Sequence, residues 1–84
     1  MEKLAELRAE IEQIDKDLAN LIAKRMETSL KIGQFKKENN LSVYDPKREE
    51  ELKEKNLSLV EEKFRSGYME IFETILKVSK DMQL

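Results

Sequence analysis

A regular spacing of apolar residues in the first part of the chain constrains the fold more than any other feature of this sequence. The apolar side chains recur at intervals of three and then four residues, at Leu4, Leu7, Ile11, Ile14, Leu18 and Leu21, and the same frame returns at Ile32 and Phe35. Alternating intervals of three and four place side chains on one face of an α-helix. The pattern therefore predicts one long helix from about Lys3 to Glu38.

Two further helices are predicted after it. Asp45-Pro46 has the form of an N-cap followed by proline in the first helical position, which predicts the start of a short second helix. Ser58-Leu59-Val60-Glu61 has the form of a capping box, which predicts a third helix from about Leu59 to Gln83. The apolar face of this third helix is expected to comprise Phe64, Tyr68, Ile71, Phe72, Ile75, Leu76, Val78 and Met82.

The composition agrees with a small helical protein. A chain of 84 residues with 39% apolar residues supports one small domain, residues 1–84. One proline and two glycines are too few for the frequent turns of an all-β chain. We therefore predict the all-α class, with one long, one short and one medium helix.

The first helix is too long for a compact chain of this size. It would span about 50 Å, whereas the radius of gyration of such a compact chain is about 12 Å. Two shorter helices from the same chain cannot easily cover its whole apolar seam. We therefore expect an intertwined homodimeric helical bundle.

Composition and charge also exclude several classes of function. The chain contains no Cys and no His, which argues against disulfides, metal centres and thiol or imidazole catalysis. Its 16 basic and 18 acidic residues nearly cancel, so no overall basic surface is expected for nucleic acid or an anionic membrane. No apolar run approaches a membrane span, and the N-terminus is acidic where a signal peptide would be basic, so a cytoplasmic protein is expected.

Polar residues interrupt the seam of the first helix. Arg25 and Thr28 occupy two positions where the pattern asks for apolar residues. A single polar core residue is best interpreted as a device that fixes the register of two helices. The row beside the seam carries further polar residues at multiples of seven, namely Arg8, Asp15, Ser29 and Lys36. Taken singly, this row is explained by solvated ion pairs.

The third helix shows a similar change of character. The row of Phe72 and Leu76 continues as Ser79 and Gln83. Fraying at a helix end explains this change about as well as a binding site does.

The start of the second helix gathers Asp45, Arg48 and Glu49 within one turn. Capping alone explains Asp45. Together, however, the three helices could bring several cations, a carboxylate, a hydroxyl and an amide to one place, and such a set suits a small polycarboxylate. Without a nucleophile or a His, its chemistry would be binding and electrostatic stabilisation of a transition state.

The spacing of these residues resembles that of the all-helical chorismate mutase family, in its stand-alone bacterial type. The resemblance covers nearly the whole chain and is carried by Leu7-Arg8, Ile14-Asp15, Ala23-Lys24-Arg25, Ile32-Gly33-Gln34-Phe35-Lys36, Asp45-Pro46-Lys47-Arg48-Glu49, Ile71-Phe72, Ser79 and Gln83. From Arg8 to Glu49 the residue types and separations agree with the family pattern without a gap. Ser79 and Gln83 agree after a slightly shortened connection.

The resemblance implies conversion of chorismate to prephenate, a Claisen rearrangement within one molecule that needs no cofactor and no metal. The implied catalytic residues are Arg25, Lys36 and Gln83. Arg25 would hold one substrate carboxylate and Arg8 of the partner subunit would hold the other. Lys36 and Gln83 would donate to the ether oxygen, where negative charge develops.

The remaining implied site residues complete the binding of substrate. Glu49 would accept a hydrogen bond from the ring hydroxyl, Ser79 would assist at a carboxylate, and Asp45 and Arg48 would line and orient the site. Because a Gln donates at any pH, Gln83 predicts a flat rate profile around neutral pH.

Two alternatives stay open at this point. An isochorismate-pyruvate lyase of the same fold has nearly the same cationic site, although the mutase is the commoner activity for a stand-alone chain. A non-catalytic helical dimerisation module would explain the seam but not the joint spacing of the polar residues.

Overall fold

The computed structural model describes residues 1–84 as three α-helices without strands. Helix α1 spans Glu2–Glu38, α2 spans Pro46–Leu57 and α3 spans Arg65–Gln83, with a 3₁₀ turn at Glu62–Phe64 before α3. The predicted all-α class and the order of long, short and medium helices are confirmed. No helix combines the length and the apolar content that a membrane crossing requires.

Helix α1 extends along the whole molecule. Its 37 residues match the longest dimension of 57 Å, since an α-helix of that length rises about 55 Å. The radius of gyration is 16.2 Å, compared with about 12 Å for a compact chain of this length. The apolar seam of the first half stays in contact with solvent, as Ile11 and Ile14 are 59% and 60% exposed.

The small core lies on α3, which packs against both α1 and α2, whereas α1 and α2 do not pack on each other. Phe72 and Leu76 are its two buried apolar residues, and the ring of Tyr68 stacks on Phe72 with 5.5 Å between centroids. The apolar face predicted for α3 is only partly buried, because Phe64 and Ile71 are exposed. The buried part is the side that carries Phe72 and Leu76.

Two small residues allow α1 and α3 to approach closely. Ser29 is buried, and its hydroxyl lies 2.7 Å from the hydroxyl of Ser79. A Cβ atom at Gly33 would lie 2.6 Å from the carbonyl oxygen and 2.7 Å from the Cα of Gln83. Glycine at position 33 therefore leaves the space that the end of α3 occupies.

The predicted start of the third helix at Leu59 is wrong. The hydroxyl of Ser58 donates to the carbonyl oxygen of Lys55 within the last turn of α2, so it does not cap a following helix. The chain then turns, and α3 begins at Arg65, with no side chain capping its first turn. The four residues that resemble a capping box belong to the end of α2 and the turn after it, because their serine is already bonded to the preceding helix.

Candidate functional site

A cavity of about 70 Å³ lies where the second half of α1, the first turn of α2 and the end of α3 meet. Seven of the eight predicted binding residues line it, namely Arg25, Lys36, Asp45, Arg48, Glu49, Ser79 and Gln83. Val43, Leu52 and Leu76 form the apolar part of the wall, and Lys80 completes it. Residues that are far apart in the sequence thus come together on three separate elements.

Arg8 is the predicted residue that lies elsewhere. It is exposed on the first half of α1. Along the helix axis it is roughly 25 Å from Arg25, given the rise of an α-helix per residue. Arg8 therefore does not reach this cavity within one chain.

The charge of the cavity wall is positive. Four cationic side chains and two carboxylates line it, which leaves a net charge of +2: Arg25, Lys36, Arg48 and Lys80 against Asp45 and Glu49. Arg25 and Lys36 are half-buried and form no ion pair with any acidic side chain of the chain. Their charges are therefore available to an anion, and the wall suits a ligand with two negative charges. No cluster of three or more acidic side chains could hold a metal ion.

The start of α2 is built as the sequence predicts. The side chain of Asp45 accepts a hydrogen bond of 3.1 Å from the backbone N–H of Arg48, and Pro46 occupies the first turn. This cap positions the first turn of α2, so that Arg48 and Glu49 line the cavity. One oxygen of Asp45 is thus used for capping, which confirms the structural interpretation of this residue.

Glu49 is held by a cation that sequence analysis did not include in the site. Its Oε1 atom lies 2.9 Å from Nζ of Lys80. The hydrogen bond with Glu49, followed by its negative charge, raises the pKa of Lys80 above the ordinary value of 10.5. The sequence does contain a signal for Lys80 as a site residue. Lys80 follows Leu76 by four residues and precedes Gln83 by three, and such intervals place the three side chains on one face of a helix.

The end of α3 presents one engaged and one free polar group. Ser79 pairs with Ser29, a residue of the polar row on α1 that was not assigned to the site. The side-chain oxygen of Gln83 is buried and has no hydrogen-bond partner. Such a group costs about 1–3 kcal/mol unless a partner completes it. Rotation of the amide would place its NH₂ group at the same position, where it could donate to a ligand.

Comparison with known proteins shows what this chain is similar to. The family model described as "Chorismate mutase type II" matches residues 7–84. A "Bifunctional chorismate mutase/prephenate dehydratase" from Aquifex aeolicus is 42% identical over 62 residues, which are 74% of this chain and 17% of that protein. The chain thus spans less than a fifth of the length of that relative.

Two further proteins are similar over most of their length. A "Chorismate mutase" from Methanocaldococcus jannaschii is 28% identical over 85 residues, covering 99% of this chain and 86% of that protein. The solved structure of a conserved hypothetical protein from Pyrococcus furiosus has a TM-score of 0.81 at 45% identity, covering 98% of this chain and 96% of that one. The helical arrangement described above therefore recurs in a solved structure.

Proposed function

The chain belongs to the chorismate mutase type II family, and we propose that it converts chorismate to prephenate by positioning the substrate and stabilising charge in the transition state. The observation that carries the proposal is the cavity, in which seven of the eight residues expected from the family pattern line one wall. The names of the relatives from Aquifex aeolicus and Methanocaldococcus jannaschii support the same reaction. The net positive wall matches a substrate with two carboxylates.

The proposed chemistry needs no covalent intermediate. Arg25 binds one substrate carboxylate through its guanidinium fork, which matches a carboxylate geometrically. As the carbon–oxygen bond of the ether breaks, negative charge grows on the oxygen, and Lys36 and Gln83 donate hydrogen bonds to it. Donors that are already in place stabilise this charge more in the transition state than in the ground state.

The remaining residues restrict the position of the substrate. Glu49 accepts a hydrogen bond from the ring hydroxyl, and Ser79 assists at a carboxylate. Asp45 maintains the first turn of α2 and Arg48 lines the wall, consistent with the cap observed there. Holding the substrate in a reactive conformation lowers the entropic part of the barrier.

A direct assay tests the proposal. Purified protein is incubated with chorismate, the loss of chorismate absorbance is followed, and the product is identified, with isochorismate run in parallel. Arg25→Ala and Lys36→Ala are each expected to lower kcat/KM by about 10²-fold or more, because each removes a charged group that touches the substrate. Lys37→Ala is the matched control, since Lys37 is exposed beside Lys36 and does not line the cavity.

Each result of this assay separates the candidate functions. Prephenate from chorismate, with losses confined to the two cavity variants, would support the mutase. Pyruvate from isochorismate would instead assign the lyase reaction. Wild-type protein that is inert toward both substrates would favour the dimerisation module, and near wild-type turnover in both cavity variants would refute the site assignment.

We further propose that the active form is a homodimer in which Arg8 of one subunit completes the site of the other. The single chain exposes 7175 Å², compared with about 5,200 Å² for a compact monomer of 9.9 kDa. The excess of about 2,000 Å² is the area that a subunit of an obligate dimer can bury. Light scattering at micromolar concentration should give twice the chain mass, and a monomeric mass would contradict the proposal.

Two finer expectations belong to the same proposal. We propose that residues 1–84 form one catalytic domain similar to that of the stand-alone bacterial type. The relative from Methanocaldococcus jannaschii supports it, since the match covers most of both chains. A cytoplasmic location stays a prediction from the sequence.

A further inference from the structure

Lys80 lines the cavity but has no role in the reaction proposed above. Its side chain is 39% exposed and leaves α3 between Ser79 and Gln83, which are both assigned to the substrate. Its ammonium lies 2.9 Å from Oε1 of Glu49 on α2. A charged group in this position needs a functional explanation, because it touches the residue assigned to the substrate hydroxyl.

The Lys80–Glu49 pair differs from the other ion pairs of the protein. It is the one pair, of five, that joins two helices; the others connect residues within a helix or turn. The side chain of Glu49 is 24% exposed, less than any other acidic partner in these pairs. Its geometry therefore follows from the packing of α2 against α3 rather than from local helix spacing.

A carboxylate held at one oxygen presents the other oxygen in a defined direction. A free Glu side chain samples several rotamers, and ordering it costs conformational entropy each time a ligand binds. The ammonium of Lys80 lies 2.9 Å from Oε1, a buried oxygen that has no other hydrogen-bond partner, and Oε2 can still accept a hydrogen bond from a ligand. We infer that Lys80 is a positioning residue that orients Glu49 toward the substrate hydroxyl, an inference that rests on the proposed function.

The alternative is that Lys80 binds a substrate carboxylate directly. Arg25 and Lys36 are better suited to that task, because they form no ion pair within the chain whereas Lys80 is already at hydrogen-bond distance from Glu49. A direct contact would require Lys80 to leave its partner when the substrate binds. The geometry favours the indirect role.

A double-mutant cycle tests this role. Steady-state kinetics with chorismate are measured for wild type, Lys80→Met, Glu49→Gln and the double variant. Lys80→Met is expected to lower kcat/KM by about tenfold, as expected when a substrate-contacting group is misplaced. In the Glu49→Gln background the same substitution should change kcat/KM by less than about twofold, because no carboxylate remains to be oriented.

Two further variants exclude a general effect of charge or stability. Lys77→Met removes the same charge from an exposed position on α3, where Lys77 pairs with Asp81 at 3.3 Å, and should leave kcat/KM unchanged. Lys80→Arg should recover most of the loss, since a guanidinium can also hold Glu49. Circular dichroism and urea midpoints confirm that each variant folds, and Lys80→Gln replaces Lys80→Met if the latter does not.

The outcomes separate the role of Lys80 from the function of the protein. A loss that disappears in the Glu49→Gln background, with recovery in Lys80→Arg, supports the positioning role. Two results would overturn the positioning role alone, provided that the wild type turns over chorismate. One is a double variant in which the losses of the two single variants multiply. The other is an increase in KM on Lys80→Met that is equally large with Glu49 and with Glu49→Gln. Wild-type protein without turnover overturns the proposed function and the role of Lys80 with it.

Discussion

The first half of α1, up to Leu21, carries only exposed side chains, whereas the second half, which also exposes Leu30 and Phe35, packs against α3 through Ser29 and Gly33. In the first half the side chain of Leu21 is 61% exposed. In the second half Ser29 is 3% exposed, and its hydroxyl forms a hydrogen bond with the hydroxyl of Ser79. One continuous helix therefore has a region suited to a partner and a region that builds a site. Polar interruptions in an apolar seam can therefore mark the point along a helix where an exposed apolar face gives way to a binding site.

Disrupting the exposed seam should have the largest effect. Ile14→Asp places a charge where the proposed dimer buries an apolar side chain, so we expect loss of the dimer and of essentially all turnover. Light scattering and the chorismate assay measure both. Ala9→Asp adds the same charge on an exposed position of α1 outside the seam and should retain both properties. A dimeric, active Ile14→Asp variant would show that the seam is not the interface.

Mixing two inactive variants tests whether the two halves of α1 serve different sites of one dimer. Arg8→Ala and Lys36→Ala alone should each lose about 10²-fold or more in turnover. In a mixed dimer, one site receives an intact Arg8 from one subunit and an intact Lys36 from the other. Random exchange of subunits should therefore restore about a quarter of wild-type activity.

The same mixture of Arg8→Ala and Lys36→Ala also shows which result would contradict the prediction that Arg8 serves the partner's site. If Arg8 served the site of its own chain, every site would lack either Arg8 or Lys36, and mixing would restore nothing. Mixing Lys36→Ala with Arg25→Ala is the control, because both residues line the cavity of one chain and no mixed site would be complete.

The contact between α1 and the end of α3 can be broken with one methyl group. Gly33→Ala should lower the free energy of unfolding by about 1–3 kcal/mol and reduce kcat, because the new Cβ would displace the backbone of Gln83. Gly67→Ala is the matched control, since no atom lies within 4 Å of its Cβ. It should raise stability by up to about 1 kcal/mol. Urea unfolding and turnover measure both effects, and equal behaviour of the two variants would contradict the close contact.

The smallest expected effect is on stability at alkaline pH. Glu49 raises the pKa of Lys80 in the folded state above the ordinary 10.5, so the pair stabilises the fold below pH 10.5, and this contribution is lost as pH rises through the folded pKa. Urea midpoints of wild type and Lys80→Met should therefore converge above pH 10.5. A difference that stays constant through the alkaline range would argue against the pair.

Much of the fold was predictable because the helical signals are local. The seam from Leu4 to Leu21 and the Asp45-Pro46 start of α2 depend on neighbours within a few residues. The start of α3 was not predictable, because the hydroxyl of Ser58 could cap a following helix or bond to the preceding one, and its sequence pattern is the same in both cases. Which carbonyl or N–H it meets depends on the path of the chain after α2.

The candidate site was also predictable only in part from the sequence. Residue types and spacing singled out Arg25, Lys36 and Gln83 as polar residues on or beside apolar rows, and their catalytic roles came from the resemblance to the chorismate mutase family. Lys80 resembled any exposed lysine of a helix until the structure placed Glu49 beside it. The role of Gly33 was equally hidden, because the backbone that its Cβ would strike is fifty residues away in the sequence.

Residue identity and spacing along one helix were sufficient to predict the all-α class, the first helix and the start of the second, the absence of thiol and imidazole chemistry, and the set of charges that could bind a dicarboxylate. The packing of the three helices determined which charges share a wall and which oxygen of Glu49 lies beside Lys80. It also decided where glycine is required between helices. Such contacts join residues of different helices, and their distances follow from how the helices pack.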